Sequence, residues 1–230
     1  MDTILITGCN RGIGLEFVKQ YAQDDWRVYA TCRQPDSAQE LQSLRERYPS
    51  ISVHALNVDV EKEILALSAE LSDIKIDVLL NNAGIYAAGG KHFGEVDKAI
   101  WLKAIEVNTI APLLMAQAFI DHVLRGNQKI VATVSSKVGS IDDNTSGGGY
   151  AYRSSKSAVN QVMKSLSIDL KSKGIKTVSL HPGWVKTDMG GPNALIDTEE
   201  SVAGMRNVIS HLTPEQSGQF INYNGTPIPW

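Results

Sequence analysis

The stretch "TILITGCNRGIGLEFVKQ" (3–20) decides the fold. Its first six residues (3–8) form a short apolar run that ends on Gly8 and reads as a strand. From Ile13 the apolar positions Ile13, Phe17, Val18 and Tyr21 recur on one face of a helix. Between the two lie Gly8, Gly12 and Gly14. The literal G-x-G-x-x-G pattern fails, because Phe17 stands where the third glycine would be. The physical requirement is still met: without Cβ atoms the chain can turn tightly, and a pyrophosphate can approach the backbone and the amino end of the helix. Gly8, Asn10, Arg11, Gly12, Ile13 and Gly14 are thus candidate dinucleotide contacts, with a plain Gly-rich turn as the alternative. No Lys-Ser/Thr pair follows the glycines, which argues against a P-loop.

The same strand–turn–helix unit repeats outward from this stretch. Further strands are expected at 27–31, 51–56, 76–81, 129–135, 176–183 and 218–223. Helices are expected at about 38–48, 61–71, 96–124, 150–172 and 199–211. "IDVLLN" (76–81) has the unbroken apolar character of a strand buried on both faces. Such alternation with short links implies right-handed βαβ units. The expected fold is α/β: one Rossmann-type domain over residues 1–230, with a doubly wound parallel sheet of about seven strands and helices on both faces. The irregular stretches 85–95, 137–149 and 183–198 all follow strands, so they should gather at the carboxyl edge of the sheet, where such folds bind ligands.

Composition sets the outer bounds. The chain has 230 residues, 43% hydrophobic and 20% charged, as in a globular protein with a sizeable core. Its 22 Lys+Arg against 25 Asp+Glu give a net charge of −3, without long runs of either sign, which argues against nucleic-acid or membrane-surface partners. "MDTILITG" lacks the basic start of a signal peptide, and no run reaches the length of a membrane span. Two cysteines, Cys9 and Cys32, make no disulfide framework, and the five histidines have no metal-ligand spacing. A reducing, cytoplasmic location is expected. Both thiols should lie near the adenosine half of a bound dinucleotide, where alkylation would slow binding.

Two further features carry chemistry. The second strand ends in "ATCRQPD", with Arg33 where an acidic residue would select NAD. Arg33 and Arg11 could clamp a 2′-phosphate, favouring NADPH/NADP; the alternative is a pair of solvated arginines. "GGGYAYRSSK" (147–156) holds two tyrosines and a lysine. On a helix, Tyr152 and Lys156 share a face one turn apart.

Together these residues resemble the short-chain dehydrogenase/reductase family. The matching segments run in order along nearly the whole chain: "TGCNRGIG" (7–14), "NNAG" (81–84), Asn108, "SSKVG" (135–139), "YRSSK" (152–156) and "HPGWVKTDM" (181–189). "SGGGYAYRSSKSAVN", "GGPNA" and "PIPW" look like the sniffer and C-factor-like carbonyl-reductase branch. The resemblance implies Tyr152 as general acid, with Lys156 lowering its pKa and bonding the nicotinamide ribose. It implies Ser136, chosen over Ser135 by the Ser-x-x-Gly pattern with Gly139, as the group that orients a substrate carbonyl. Asn108 would hold a water in a proton relay; Pro112 cannot donate to the Asn108 carbonyl, and the helix should bend there. Asn57, where the family usually has Asp, and Val58 would meet the adenine. Asn82, Ala83 and Gly84 would flank the adenosine side. Pro182, Gly183, Val185 and Thr187 would close over the nicotinamide, with Tyr150, Trp184 and Met189 near the substrate.

The resemblance therefore implies NADPH-dependent reduction of small aldehydes or ketones, in a homodimer paired through its long helices. Rival readings are an NAD(P)-linked alcohol dehydrogenase, which Arg11 and Arg33 argue against, and an NADP-binding sensor or signalling protein. The presence of Asn108, Ser136, Tyr152 and Lys156 together favours an enzyme.

Overall fold

A computed structural model describes residues 1–87 and 92–230; positions 88–91, inside the irregular stretch expected at 85–95, lie outside the described residues. Seven parallel strands form one sheet: β1 (Thr3–Thr7), β2 (Arg27–Cys32), β3 (Ile51–Ala55), β4 (Val78–Asn81), β5 (Ile130–Val134), β6 (Lys176–His181) and β7 (Gln219–Asn222). Their order is β3-β2-β1-β4-β5-β6-β7. The order reverses between β1 and β4, and a crevice opens there at the carboxyl edge, as in a Rossmann-type sheet.

Side-chain alternation explains why the sheet is covered twice. Ile4 and Ile6 of β1 enter one core with Phe17 and Tyr21 of α1 (Gly12–Gln23), Leu41 of α2 (Gln39–Arg47) and Met205 of α7 (Thr198–Ser210). Leu5, between them, enters the other core. There it meets Ile64 and Leu67 of α3 (Glu61–Glu70), Phe119 of α5 (Ala111–Arg125) and Met163 of α6 (Tyr150–Asp169). A period-two strand with apolar residues on both faces is stable only between two helical layers. At the amino edge the buried Asp77 carboxylate accepts from the backbone N–H groups of Thr3 (2.8 Å) and Asn127 (2.6 Å), tying β1 to the turn before β5.

The helix expected at 96–124 is built in three parts. Asp97 caps α4 (Lys98–Ile105) by accepting from Ala99 and Ile100 N–H. A π turn follows at Glu106–Ile110, with the Ala111 N–H reaching back to the Glu106 carbonyl, and α5 then begins with Pro112 in its first turn. The missing proline N–H is thus absorbed by a wider turn. Within the run Lys98–Arg125 an 18-residue window reaches a mean hydropathy of 1.3, long and apolar enough by composition to cross a membrane. Its apolar side, Met115, Phe119 and Val123, is packed into the core beneath the sheet.

Beyond β7 the chain reverses and runs antiparallel along that strand's outer side. Asn222 N–H donates to the Thr226 carbonyl and Ile228 N–H to the Phe220 carbonyl (both 2.8 Å), with Pro227 opposite Ile221.

Candidate active site

The Gly-rich turn is shaped by steric demand. Gly8 (φ +73°) and Gly12 (φ +57°) lie in the left-handed region. A Cβ on Gly14 would fall 2.1 Å from the Gly8 carbonyl oxygen, and one on Gly8 2.8 Å from Ala83 Cα. Asn82 locks the turn from beneath: its amide donates to the carbonyls of Thr7 (2.9 Å) and Gly8 (3.0 Å), while Thr7 Oγ1 accepts from Asn82 and Ala83 N–H. The Asn82 side chain therefore braces the turn. Asn81 has its own bond, to the Pro112 carbonyl (3.4 Å). The amino end of α1 has Arg11 at its cap, no side-chain capping bond and no acidic residue in its first turn. Asn10 is exposed beside it, and Ile13 packs against the core.

The two arginines have different surroundings. Arg33 is exposed at the end of β2 and has no ion-pair partner among the described residues. Arg11 is held by Asp188 at 2.6 Å, across the cleft from the 183–198 loop. Asn57 is half-buried with its N–H taken by Glu63 (2.7 Å), and Val58 is buried next to it. Cys9 and Cys32 are both buried; burial raises both thiol pKa values, and the Cys9 thiol donates to the Ile6 carbonyl. The expected alkylation sites are thus shielded within the protein itself.

Tyr152 and Lys156 do share a face of α6, just past a loop that needs three consecutive left-handed glycines, Gly147, Gly148 and Gly149. Chains of L-residues sustain that conformation only at a cost, so the glycine run before the helix has a backbone cause. Burial pushes the Tyr152 phenol up to about 12, opposed by hydrogen bonding with the Ser136 side chain and reinforced by Tyr86. Lys156 is 4% exposed, and burial lowers it to about 8. Its Nζ donates to the Val134 carbonyl (2.9 Å) and lies 5.8 Å from the centre of the Tyr152 ring. In this geometry burial governs the phenol, rather than the expected depression by Lys156.

Ser136, two residues past β5, starts a short turn whose Gly139 N–H donates back to the Ser136 carbonyl (2.8 Å). Gly139 is required: a Cβ there would sit 2.8 Å from the backbone carbonyl carbon of Lys156. The Ser-x-x-Gly spacing thus has a mechanical meaning, pressing the turn onto α6 so that Ser136 reaches Tyr152. Ser135 is buried, and its hydroxyl has no partner among the described residues.

Asn108 sits in the π turn. Its side chain accepts from Ile85 N–H (2.9 Å) and donates to the Ile85 carbonyl and to Ser155 Oγ (both 3.0 Å). It clamps the segment after β4 to α6, close to Gly84, where a Cβ would approach both Asn108 Oδ1 and Lys156 Nζ. Pro182 follows β6, and its carbonyl accepts from Ser201 Oγ (2.5 Å). At Gly183 (φ +85°) a Cβ would collide with Ile196. Val185 is buried and bridged to Ile196, and the Thr187 methyl faces Gly12.

Two contacts were not foreseen. The ring of Tyr86 packs on Tyr152, edge to face with centroids 5.1 Å apart. The Tyr152 hydroxyl donates to Met189 Sδ at 3.9 Å. Tyr86 follows "NNAG" in the irregular stretch, and no periodicity marks it.

The profile of the family described as short chain dehydrogenase matches residues 2–195. The protein named C-signal from Myxococcus xanthus is 46% identical over 155 residues, covering 67% of this chain and 93% of that one. The Drosophila melanogaster carbonyl reductase Sniffer is 38% identical with a TM-score of 0.93, each chain covered in full. An NADPH-bound carbonyl reductase from chicken fatty liver is 36% identical with a TM-score of 0.94, covering 100% of this chain and 99% of its own. Likeness of this extent, in sequence and in three dimensions, makes the chain a member of the short-chain dehydrogenase family.

Proposed function

We propose that this protein is an NADPH-dependent carbonyl reductase acting on aldehydes or ketones. The observation that carries the reading is the convergence of Tyr152, Ser136, Lys156 and Asn108 at the carboxyl edge of the sheet, beside a glycine turn open to a dinucleotide. The residues present fit NADPH. The uncapped amino end of α1 and the Cβ-free surface of Gly8, Gly12 and Gly14 suit a pyrophosphate. Arg33, with Arg11 once released from Asp188, suits a 2′-phosphate, as does the bound cofactor of the chicken relative. Asn57 and Val58 would contact the adenine, Ala83 and Gly84 the adenosine side, and Pro182, Gly183, Val185 and Thr187 the nicotinamide.

When bound, the reduced nicotinamide supplies a hydride to the carbonyl carbon. The chain's own groups manage the oxygen. Ser136 donates a hydrogen bond that orients it, and Tyr152 donates the proton it needs as negative charge develops. Burial keeps the phenol protonated at neutral pH, so the proton is on hand when negative charge develops on the substrate oxygen. Lys156, fixed on the Val134 carbonyl, offers its remaining N–H groups toward the ribose and favours the phenolate left behind. Asn108 is a positioning residue that keeps α6 and the segment after β4 in register. Exposed Leu102 and Ile110 on the long helix support pairing of two copies.

The test is NADPH oxidation with a panel of quinones, diketones and aromatic aldehydes, run on wild type and Tyr152→Phe. The expected result is turnover that falls about 100-fold or more in the variant while NADPH binding persists. Undiminished turnover in Tyr152→Phe would overturn the assignment. The identity with C-signal favours a second reading, an NADP-binding signalling protein. Tight NADPH binding with no turnover of any carbonyl would select it.

A further inference from the structure

We propose that Met189 is an oxidation site at which peroxide switches the proton donor off. The inference rests on Tyr152 as that donor.

The sulfur inventory singles out one atom. Of the five methionines, Met115, Met163 and Met205 are at most 1% exposed, and both cysteines are buried. Of these, only Met1 (74%) and Met189 (50%) are exposed residues. Met1 is remote from the chemistry, at the amino edge of the sheet, whereas Met189 Sδ accepts the Tyr152 hydroxyl. Its place is fixed by a hydrogen-bonded turn. Gly191 N–H donates to the Thr187 carbonyl (2.8 Å), Gly190 N–H to Thr187 Oγ1 (3.1 Å), and Trp184 Nε1 to the Gly190 carbonyl (2.8 Å). The thioether is thus held against the phenol while half of the residue faces water.

Oxidation changes what that contact does. A lone pair on Sδ attacks one peroxide oxygen, the S–O bond forms, the O–O bond breaks, and water leaves. Sulfur loses two electrons and hydrogen peroxide gains them. A thioether sulfur is a weak acceptor, from which a substrate carbonyl can readily take the Tyr152 proton. A sulfoxide oxygen is a strong acceptor and would sequester that same proton. It also replaces an apolar wall of the pocket with a polar one.

The experiment exposes the full chain to hydrogen peroxide, removes the oxidant with catalase, and then measures peptide masses and NADPH oxidation in parallel. Met189 and Met1 should gain oxygen first. The rate should fall about tenfold at full Met189 oxidation, in proportion to the Met189 sulfoxide fraction. Dithiothreitol should not restore it, and methionine sulfoxide reductases should. Met189→Leu, compared only with its own untreated rate, should keep that rate through the same exposure. The proposal is overturned if oxygen enters the buried methionines first, if Met189 sulfoxide accumulates at an unchanged rate, if dithiothreitol restores the loss, or if Met189→Leu loses as much as wild type. Absence of turnover before any oxidant is added is a different failure: it removes the carbonyl-reductase reading, while the peptide masses still report where oxygen goes.

Discussion

The Gly-rich turn and the 183–198 loop face each other across one cleft, yet they are held by different physics. The turn is fixed by absences: Gly8 and Gly14 fit because any Cβ would strike backbone, and Asn82 pins the result with two amide bonds. The loop is folded on itself by backbone bonds, Gly191 N–H to the Thr187 carbonyl and Lys186 N–H to the Ile196 carbonyl, but it meets the rest of the cleft through exposed side chains: the Arg11–Asp188 pair and Met189 against Tyr152. Close packing against backbone gives rigidity, whereas exposed contacts are individually weak and can be exchanged. The turn presents one fixed surface, whereas the exposed Arg11–Asp188 pair across the cleft is a contact that a bound group can exchange.

Substitutions should separate the two. Gly14→Ala forces a Cβ to within 2.1 Å of a carbonyl oxygen, and thermal unfolding should show a loss of about 3 kcal/mol or more. Weaker but still a matter of stability is His181, at the end of β6, where the loop begins. Burial, aided by Lys137 and opposed by Asp143, lowers it from 6.5 to about 4. Between those values the unfolded chain binds the proton and the folded one does not, so this residue's contribution falls as pH drops from 6.5 through 4. Denaturant titrations across that window should lose this slope in His181→Gln.

On the exposed side the effects should appear in kinetics. Arg33→Ala should lower the NADPH-over-NADH preference in kcat/KM about tenfold, with little change in stability. The smallest effect expected is that of Asp188→Asn, which releases Arg11 and should tighten NADPH two- to threefold, roughly, while moving stability by less than about 0.5 kcal/mol. A stability loss in Asp188→Asn comparable to that of Gly14→Ala would erase the contrast between turn and loop.

What could be read from the sequence follows the same division. The strands and helices were legible because β1 and β4 carry apolar residues for two cores and α1 shows its face from Ile13 to Tyr21. The candidate residues Tyr152, Lys156 and Asn108 could be named by spacing and resemblance, because each lies on a helical element. The π turn was not, since Pro112 signals a lost bond without saying how the helix absorbs it. The Tyr86 packing, the Asp188 partner of Arg11 and the Met189 contact escaped notice because each joins a loop residue to a position far away in sequence, and no local period encodes them.

The antiparallel return after β7 has a consequence for assembly. An open sheet edge invites a foreign strand, but here Thr226 and Ile228 already occupy the Asn222 N–H and Phe220 carbonyl that such a strand would need. Pro227 presents no N–H of its own on that rim. The opposite edge, β3, is left as the place where sheet-to-sheet pairing could occur. An association that uses only one edge closes on itself at two chains, because a third has no second edge on which to continue. The short return segment thereby acts as a terminator against fibrous stacking.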